Sequence, residues 1–524
     1  MQKQIIKPLA VLLGTILFDF LFFKAFVGLN VLLITIFFET ALFYFYRASF
    51  SKRNVQYVAI GTFILALCVV FTNSKLAVVA YLLSFSFLVG LIQLPELRFL
   101  FFGSLLFAGN FLEVPKHFAN SLTNLFATHR TPYQRFPFLP IFMAIIIGSV
   151  FFFIYLVSNP RFADIVLPFF DALARIFTFR FDFGHFIFFG VCFFITGATI
   201  WKHQIFDFNS WQNKLSDNLI SQQKNNLEIN SLTNLTEYES NRLGIIVLGT
   251  VNLLLLLNNI TDVPFVWFNN HINFSPADMK VFVHEGTYLL IFGILLAMGV
   301  LLWLFHGNIK TKKIFVEKKS NASLIDILAK IWLVQNAFLA LSVGMRNAHY
   351  INAFGLAYKR IGVIFFLILV LCCLWFLYEK IKNSETFYRF VSRNAWSLYL
   401  VLVATSFVPW DTFITDYNIR HTPGKDLDVR FLMNDVSDKN TYQLIQNKNY
   451  LLQSAANSDM GLGDEIIYRG AIDKKVLGNV LEKEFDDLLS AKTARLHRKY
   501  AHNNWRSWNY PDEVNRQFLE KTGK

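Results

Sequence analysis

Ionisable and amide side chains set inside long apolar runs are the residues of this chain best placed to do chemistry. Asp19 and Glu39 each stand alone in such a run, and an acid within a membrane span is the kind of group that carries protons or ions. Both lie toward the ends of their runs, where water is also within reach. His284 and Glu285 are neighbours near the start of a later run, read either as two interfacial polar residues or as a charged pair facing other helices. Asn336 follows Gln335 in the middle of the next run, where amides join helices or hold a ligand. Alternation of span direction returns Arg346 to the membrane face of Glu285, so an ion pair of Glu285 with Arg346, or with Arg360, would join three helices near one surface.

Near the C-terminus, Trp505, Arg506, Trp508 and Tyr510 form an aromatic and polar cluster. Such a cluster suits a recognition surface for a partner or a belt at the lipid head groups. The usual motifs of nucleotide, zinc-protease, serine-hydrolase and redox chemistry are missing. His421, His497 and His502 lack metal-ligand spacing, and Cys68, Cys192, Cys372 and Cys373 all lie in apolar segments, where a thiol behaves as a small hydrophobe. No catalytic residue, cofactor or metal is expected.

These residues must be positioned by membrane helices. Of 524 residues, 54% are hydrophobic and only 16% charged, with 60 Phe and a mean hydropathy of +0.42. A soluble domain carries roughly a quarter charged residues, so a large soluble enzyme, a disordered chain and a fibrous repeat are excluded. A span needs about 20 mostly apolar residues. Runs of that type fall at 8–23, 28–46, 56–72, 76–93, 97–113, 137–158, 184–201, 243–260, 280–305, 324–346, 358–379 and 395–412. Segment 159–183 is an interfacial helix or a thirteenth span. The expected fold is an all-α polytopic membrane bundle of about 12–13 spans with a small helical C-terminal domain. Its divisions are an N-terminal bundle 1–201, a polar connector 202–242, a membrane core 243–412 and a tail 413–524.

Local patterns sharpen some elements. Ser275-Pro276-Ala277-Asp278 carries a cap residue, proline at the first helical position and an early acid, which together start a helix. In the tail, Leu444, Tyr450 and Leu451 make one apolar stripe, and Val476, Val480, Phe485, Leu488 and Leu489 make another over about 473–498.

The net charge of +13 does not point to nucleic acid, because the tail from Asp411 holds 17 Lys and Arg against 17 Asp and Glu. The excess lies between the apolar runs, where basic residues set topology and meet anionic lipid. The connector, 306–323 and 380–394 together carry thirteen Lys and Arg, and the alternate segments four. That places the connector in the cytoplasm and the tail outside it. Arg47, Lys52 and Arg53 suggest that their loop is cytoplasmic too, which twelve spans do not allow and thirteen do.

Several segments resemble a bacterial multi-pass membrane family catalogued as a domain of unknown function, number 4173, or its uncharacterised relative. They are Phe282-Val283-His284-Glu285-Gly286, Trp332-Leu333-Val334-Gln335-Asn336, Tyr350-Ile351 leading to Phe354-Gly355-Leu356-Ala357-Tyr358-Lys359-Arg360, and Trp410 to Ile419. The resemblance covers about 240–440 and the Trp505–Trp508 cluster, with Gly28-Leu29-Asn30 in the first half. Ala357 and Asp416 depart from the family pattern. The resemblance implies membership and no activity.

The leading functional expectation is a bacterial inner-membrane envelope scaffold, sensor or assembly factor. Its periplasmic tail would contact an extracytoplasmic protein partner, with the lipid bilayer around its spans and no role for nucleic acid. The alternative is an ion- or proton-coupled transporter or channel built on Asp19, Glu39, His284 and Glu285. A membrane-embedded lipid-modifying enzyme ranks below both, since no nucleophile–base pair is visible.

Overall fold

A computed structural model describes residues 2–126, 182–202, 237–268, 276–304, 321–383, 385–421, 427–457 and 474–523, with scattered positions from 148 to 168. Every element among the described residues is helical. The chain is an all-α polytopic helical bundle. Its first part contains α1 (Gln2–Phe22), α2 (Leu29–Phe45), α3 (Arg53–Thr72), α4 (Lys75–Gln93), α5 (Phe101–Phe126) and α6 (Phe183–Ile200). The second contains α7 (Glu237–Asp262), which continues into a π-helical turn Val263–Phe268, then α8 (Pro276–Leu304), α9 (Asn321–Phe354), α10 (Tyr358–Asn383) and α11 (Phe387–Ser406). The tail adds α12 (Trp410–His421), α13 (Val429–Asn434), α14 (Thr441–Gln446), α15 (Lys448–Asn457), α16 (Lys474–His502) and α17 (Tyr510–Thr522).

Among the described residues six helices are long and apolar enough to cross a membrane: α3, α4, α6, α7 with its π turn, α9 and α10. Two shorter apolar helices are α2 and the Leu289–Leu302 stretch of α8. The expected span 395–412 is broken instead. The helix ends at Ser406, and α12 leaves at 65°. Pro409 explains the break, because it cannot donate to the helix ladder and restricts the residue before it. The expected span 97–113 is shifted to α5, which runs on through Glu113, Pro115, Lys116 and His117 and is too polar to qualify alone. Expected span 137–158, segment 159–183 and connector residues 203–236 lie wholly or largely outside the described residues.

Side-chain caps account for several helix starts. Ser74 accepts from the Ala77 N–H, Asp182 from His185, Thr386 from Arg389, and Asn509 from Asp512. The helix expected from Ser275-Pro276 does begin at Pro276.

Burial divides the bundle into separate apolar cores. Leu21, Phe38, Val69 and Phe85 anchor one in the first part, while Ile294, Leu301, Leu333 and Leu374 anchor another in the second. Helix α11 belongs to both. Phe390 is buried in the second core, and Tyr399 is buried in the first part against Phe87 and Leu91. The Tyr399 hydroxyl lies 2.8 Å from Ser84 Oγ, which is 2.7 Å from Thr62 Oγ1. Such bonds matter between spans because hydrocarbon offers polar groups no alternative partner.

The two parts agree in direction. Tyr46, at the end of α2, donates to Ile200 O at the end of α6, and Lys202 donates to Ile92 O at the end of α4. The basic α2–α3 turn and the start of the connector therefore share one face. The turns α1–α2, α3–α4 and α9–α10 lie on the other, where the tail sits.

Candidate functional site

The tail forms a cap built onto that second face. Leu432, Leu444, Leu451, Phe485 and Leu489 are buried in one core with Leu356, Ile361 and Ile414 from the spans and α12. The stripe positions Leu444, Leu451, Phe485 and Leu489 are thus interior, and the second stripe belongs to a helix running from Lys474 to His502. The cap core is continuous with the ends of α9 and α10.

Two segments quoted above for their family resemblance meet at this joint. Gly355 ends α9 with φ +75°, a left-handed backbone that favours glycine. Asn418 of α12 then accepts from Leu356 N–H at 2.6 Å and donates to Leu356 O at 2.9 Å. Arg360 lies 4.4 Å over the Tyr350 ring and donates to the carbonyls of Phe354 and Gly355, so its charge meets the C-terminal end of α9. Tyr358 donates to Asp411, and Asp411 is 3.5 Å from Lys439.

Beneath the cap surface lies a connected charge network. The Lys492 side chain is 2% exposed and lies 3.6 Å from Asp438; it donates to Val436 O at 2.8 Å and Asn440 Oδ1 at 3.3 Å. Arg495 holds both Asp438 oxygens, at 2.9 and 2.7 Å. Burial pushes the Lys492 ammonium below the usual lysine range, with Asp438 opposing that shift. Burial also opposes ionisation of Asp438, but the Arg495 hydrogen bonds and the Lys492 charge outweigh it and hold the carboxyl below its usual value. Asn515 of α17 donates to Lys439 O at 3.0 Å and accepts from Tyr442 N–H at 3.0 Å, so the last helix is sewn into the same network.

The C-terminal strap then returns to the first part of the bundle. Leu29 N–H donates to Trp508 O at 2.8 Å, and Phe26 N–H donates to Ser507 Oγ at 2.9 Å. Arg506 donates to Phe20 O, and Lys439 donates to Asn73 O. A Cβ on Gly28 would stand 2.5 Å from both Ser507 O and Trp508 O, so only glycine admits the strap. Asn30 shapes the receiving turn by accepting from Gly28 and Val31 N–H and donating to Leu21 and Phe26 O. Trp505 and Tyr510 remain exposed, 6.3 Å from the Phe20 ring and 6.4 Å from the Phe71 ring.

A second polar zone lies inside the membrane core, between α7 and α9. Asn252 donates to Leu328 O at 3.0 Å and to Leu248 O at 2.7 Å. Gln335 Nε2 donates to Asn252 Oδ1 at 3.0 Å, and Asn259 donates to Gln335 O at 3.3 Å. Trp267, in the π turn, donates to Ser342 Oγ at 3.0 Å. Asp262 pairs with Arg346, and both are over nine-tenths buried.

The remaining candidates are distributed. Asn336, 2% exposed, donates to Trp332 O of its own helix. Asp19 faces His185 Nε2 at 2.9 Å, with Phe23 stacked on the imidazole at 3.8 Å. Glu39 is half-buried, and its Oε1 has no hydrogen-bond partner among the described residues. The side chains of His284 and Glu285 lie outside the described residues, and with them the expected pairing of Glu285. Among the described residues there is no group of three or more His, Cys, Asp or Glu able to hold a metal. Sequence reasoning missed Asp262, His185, Asp438, Lys492 and Asn418. The repeated offset between polar positions of α7 and α9 was the one available signal for the seam.

A family model described as Domain of unknown function (DUF4153) matches residues 10–447. The chain belongs to this family. The number read from the motifs, 4173, is corrected to 4153, and the match extends through the first part of the bundle rather than starting near residue 240. The DUF4153 region stops short of the strap residues Trp505–Tyr510. No curated protein and no solved structure matches the chain.

Proposed function

We propose that this DUF4153 protein is a bacterial inner-membrane scaffold, sensor or assembly factor that works through its cap. The cap faces the periplasm and contacts an extracytoplasmic protein. The observation that carries this reading is the strap. Main-chain bonds from Leu29 to Trp508 and side-chain bonds from Phe26 and Phe20 to Ser507 and Arg506 tie the tail to the spans. A tail bonded in this way transmits a load or a displacement between its outer surface and the bundle. The basic segments at the opposite face support the orientation.

Orientation is tested first, in a background without the four cysteines. Cysteine placed at Ser490, exposed on the cap, is expected to react with a membrane-impermeant maleimide in intact cells, and cysteine at Asn383, exposed at the opposite face, is not. The reverse labelling would overturn the reading. Photo-crosslinking from exposed cap positions Glu482 and Arg498 is then expected to capture one discrete periplasmic protein.

Ion-coupled transport is the second reading, favoured by the unsatisfied Glu39 Oε1 within α2. Glu39→Gln is expected to abolish solute flux under that reading and to leave crosslinking from the cap unchanged under the first.

A further inference from the structure

Two stripes of exposed apolar side chains climb the first part of the bundle toward the cap. On α1, Leu9, Leu13, Ile16 and Phe20 share one helical face, and each is more than half exposed. On α3 the face from Tyr57 and Ile60 to Phe71 does the same, again more than half exposed. Helix α3 is long and apolar enough to span, and α1 packs into the same apolar core, so these stripes face hydrocarbon. Each stops at the cap end of its helix. Phe20 lies two residues before the end of α1, and Phe71 one residue before the end of α3.

The strap sets one more ring against each stripe. Trp505 lies 6.3 Å from Phe20 and Tyr510 lies 6.4 Å from Phe71, and both are themselves more than half exposed. The lipid-facing surface is thereby prolonged at the depth where the helices leave the hydrocarbon. Trp and Tyr suit that depth, because the ring packs on acyl chains while the indole N–H or the hydroxyl stays among head groups. Arg506 donates to Phe20 O and lies 5.3 Å over the Phe20 ring. A guanidinium at that level pairs with phosphate. A water-soluble protein covering Trp505 would also have to strip lipid from Phe20 beside it.

The depth of the rings is fixed by the main chain between them. Ser507 and Trp508 accept from the N–H groups of Phe26 and Leu29 in the α1–α2 turn, and Asn509 caps the helix that begins at Tyr510. We propose that the strap is a membrane-docking element, in which Trp505 and Tyr510 enter the head-group layer of the adjoining leaflet and Arg506 meets a lipid phosphate. The partner of this cluster is phospholipid, and the bilayer holds the cap down together with the strap's own bonds. The assignment holds whichever side of the membrane the cap faces.

The test is photo-crosslinking of the full-length protein with p-benzoylphenylalanine at position 505 or at position 510, which keeps an aromatic ring at each. In nanodiscs of phosphatidylethanolamine and phosphatidylglycerol, irradiation is expected to add the mass of a phospholipid to the protein. In intact cells the same lipid adduct is expected, in place of a protein adduct. A protein adduct in cells, or no lipid adduct in nanodiscs, would overturn the proposal. Should the larger side chain unsettle the strap, Trp505→Cys carrying a small fluorophore, in the background without the four native cysteines, is read in nanodiscs containing nitroxide lipids. A nitroxide on the head group is expected to quench more than one at the end of the acyl chain. Absence of quenching, or the reverse order, would overturn the proposal. Crosslinking from Glu482 and Arg498 is read separately, so failure of the lipid contact and failure of the cap's protein contact are distinguishable.

Discussion

At the cap joint, Lys492 directs its N–H groups at Val436 O, Asn440 Oδ1 and Asp438, Arg495 closes on both Asp438 oxygens, and Asn515 uses both ends of its amide. At the α7–α9 seam, by contrast, Asn259, Gln335 and Asp262 each keep one buried oxygen that no described residue serves. Both zones are buried and both carry an acid beside a base. A fully satisfied network holds one arrangement and serves as a joint. A partly satisfied one is expensive in hydrocarbon unless buried water or a further donor serves it.

The sharpest way to break this contrast is to remove one member of each ion pair. Asp438→Ala leaves Lys492 buried against carbonyls and Arg495 without its partner. A loss of about 3–5 kcal/mol is expected, read by denaturant unfolding and by faster amide exchange in α16. The double change Asp438→Leu with Lys492→Met is expected to recover most of it, since removing both charges also removes the desolvation cost. In the seam, Arg346→Met leaves Asp262 alone, with a cost of about 3 kcal/mol read by the same unfolding. No loss on Arg346→Met would show that the seam pair, unlike the cap pair, carries no stability.

The strap tests the joint without touching a charge. Gly28→Val puts side-chain carbon where Ser507 and Trp508 carbonyls lie, and overpacking of this kind costs about 1–3 kcal/mol. Protease sensitivity around Asn503 and Asn504 is expected to rise while the membrane core stays intact. Retained protection of the strap would show that the backbone contact is dispensable.

The elements were far more legible than their partners. The start at Pro276, the interior positions Leu444, Leu451, Phe485 and Leu489, and the extent of α16 all follow from local capping and period. Partners depend on register between helices, which period does not supply. Arg346 lies 84 positions from Asp262, and Asp19 lies 166 from His185. Asp262 sits where an apolar run gives way to Pro264, and so reads as loop rather than as half of a buried pair. The strap was legible only as an aromatic cluster, because its bonds run from the main chain of Leu29 and no side-chain pattern announces them.

Acid should reach the joint before it changes the apolar cores. The contribution of Asp438 is fully present above its unfolded value of 3.8 and is lost as pH falls through its lowered folded value. Lys492 works in the opposite range. Burial lowers its folded value, so stability grows as pH rises from that value toward 10.5. Protection of the α16 and α17 amides, taken relative to free-amide exchange at the same pH, is therefore expected to be flat from neutral pH to about 4 and to fall below 3.8, with the spans unchanged. Loosening already at pH 5 would assign the joint to some other group.

The smallest expected effect is also the one that bears most directly on the seam. Asn252 uses both N–H groups and its oxygen, to Leu248 O, Leu328 O and Gln335 Nε2, so it resembles the cap residues more than its neighbours Asn259 and Gln335. Interhelical hydrogen bonds inside membranes average about 0.6 kcal/mol, because the separated helices also find partners. Asn252→Leu is expected to cost about that much and to free Gln335 Nε2. Gln335 Nε2 is then left without its acceptor on α7. The loss is measured by thermal unfolding of the purified protein beside Gln335→Met, and the double change is expected to cost less than the two single changes together. If the two changes add in full, the Asn252–Gln335 hydrogen bond contributes nothing to joining α7 and α9.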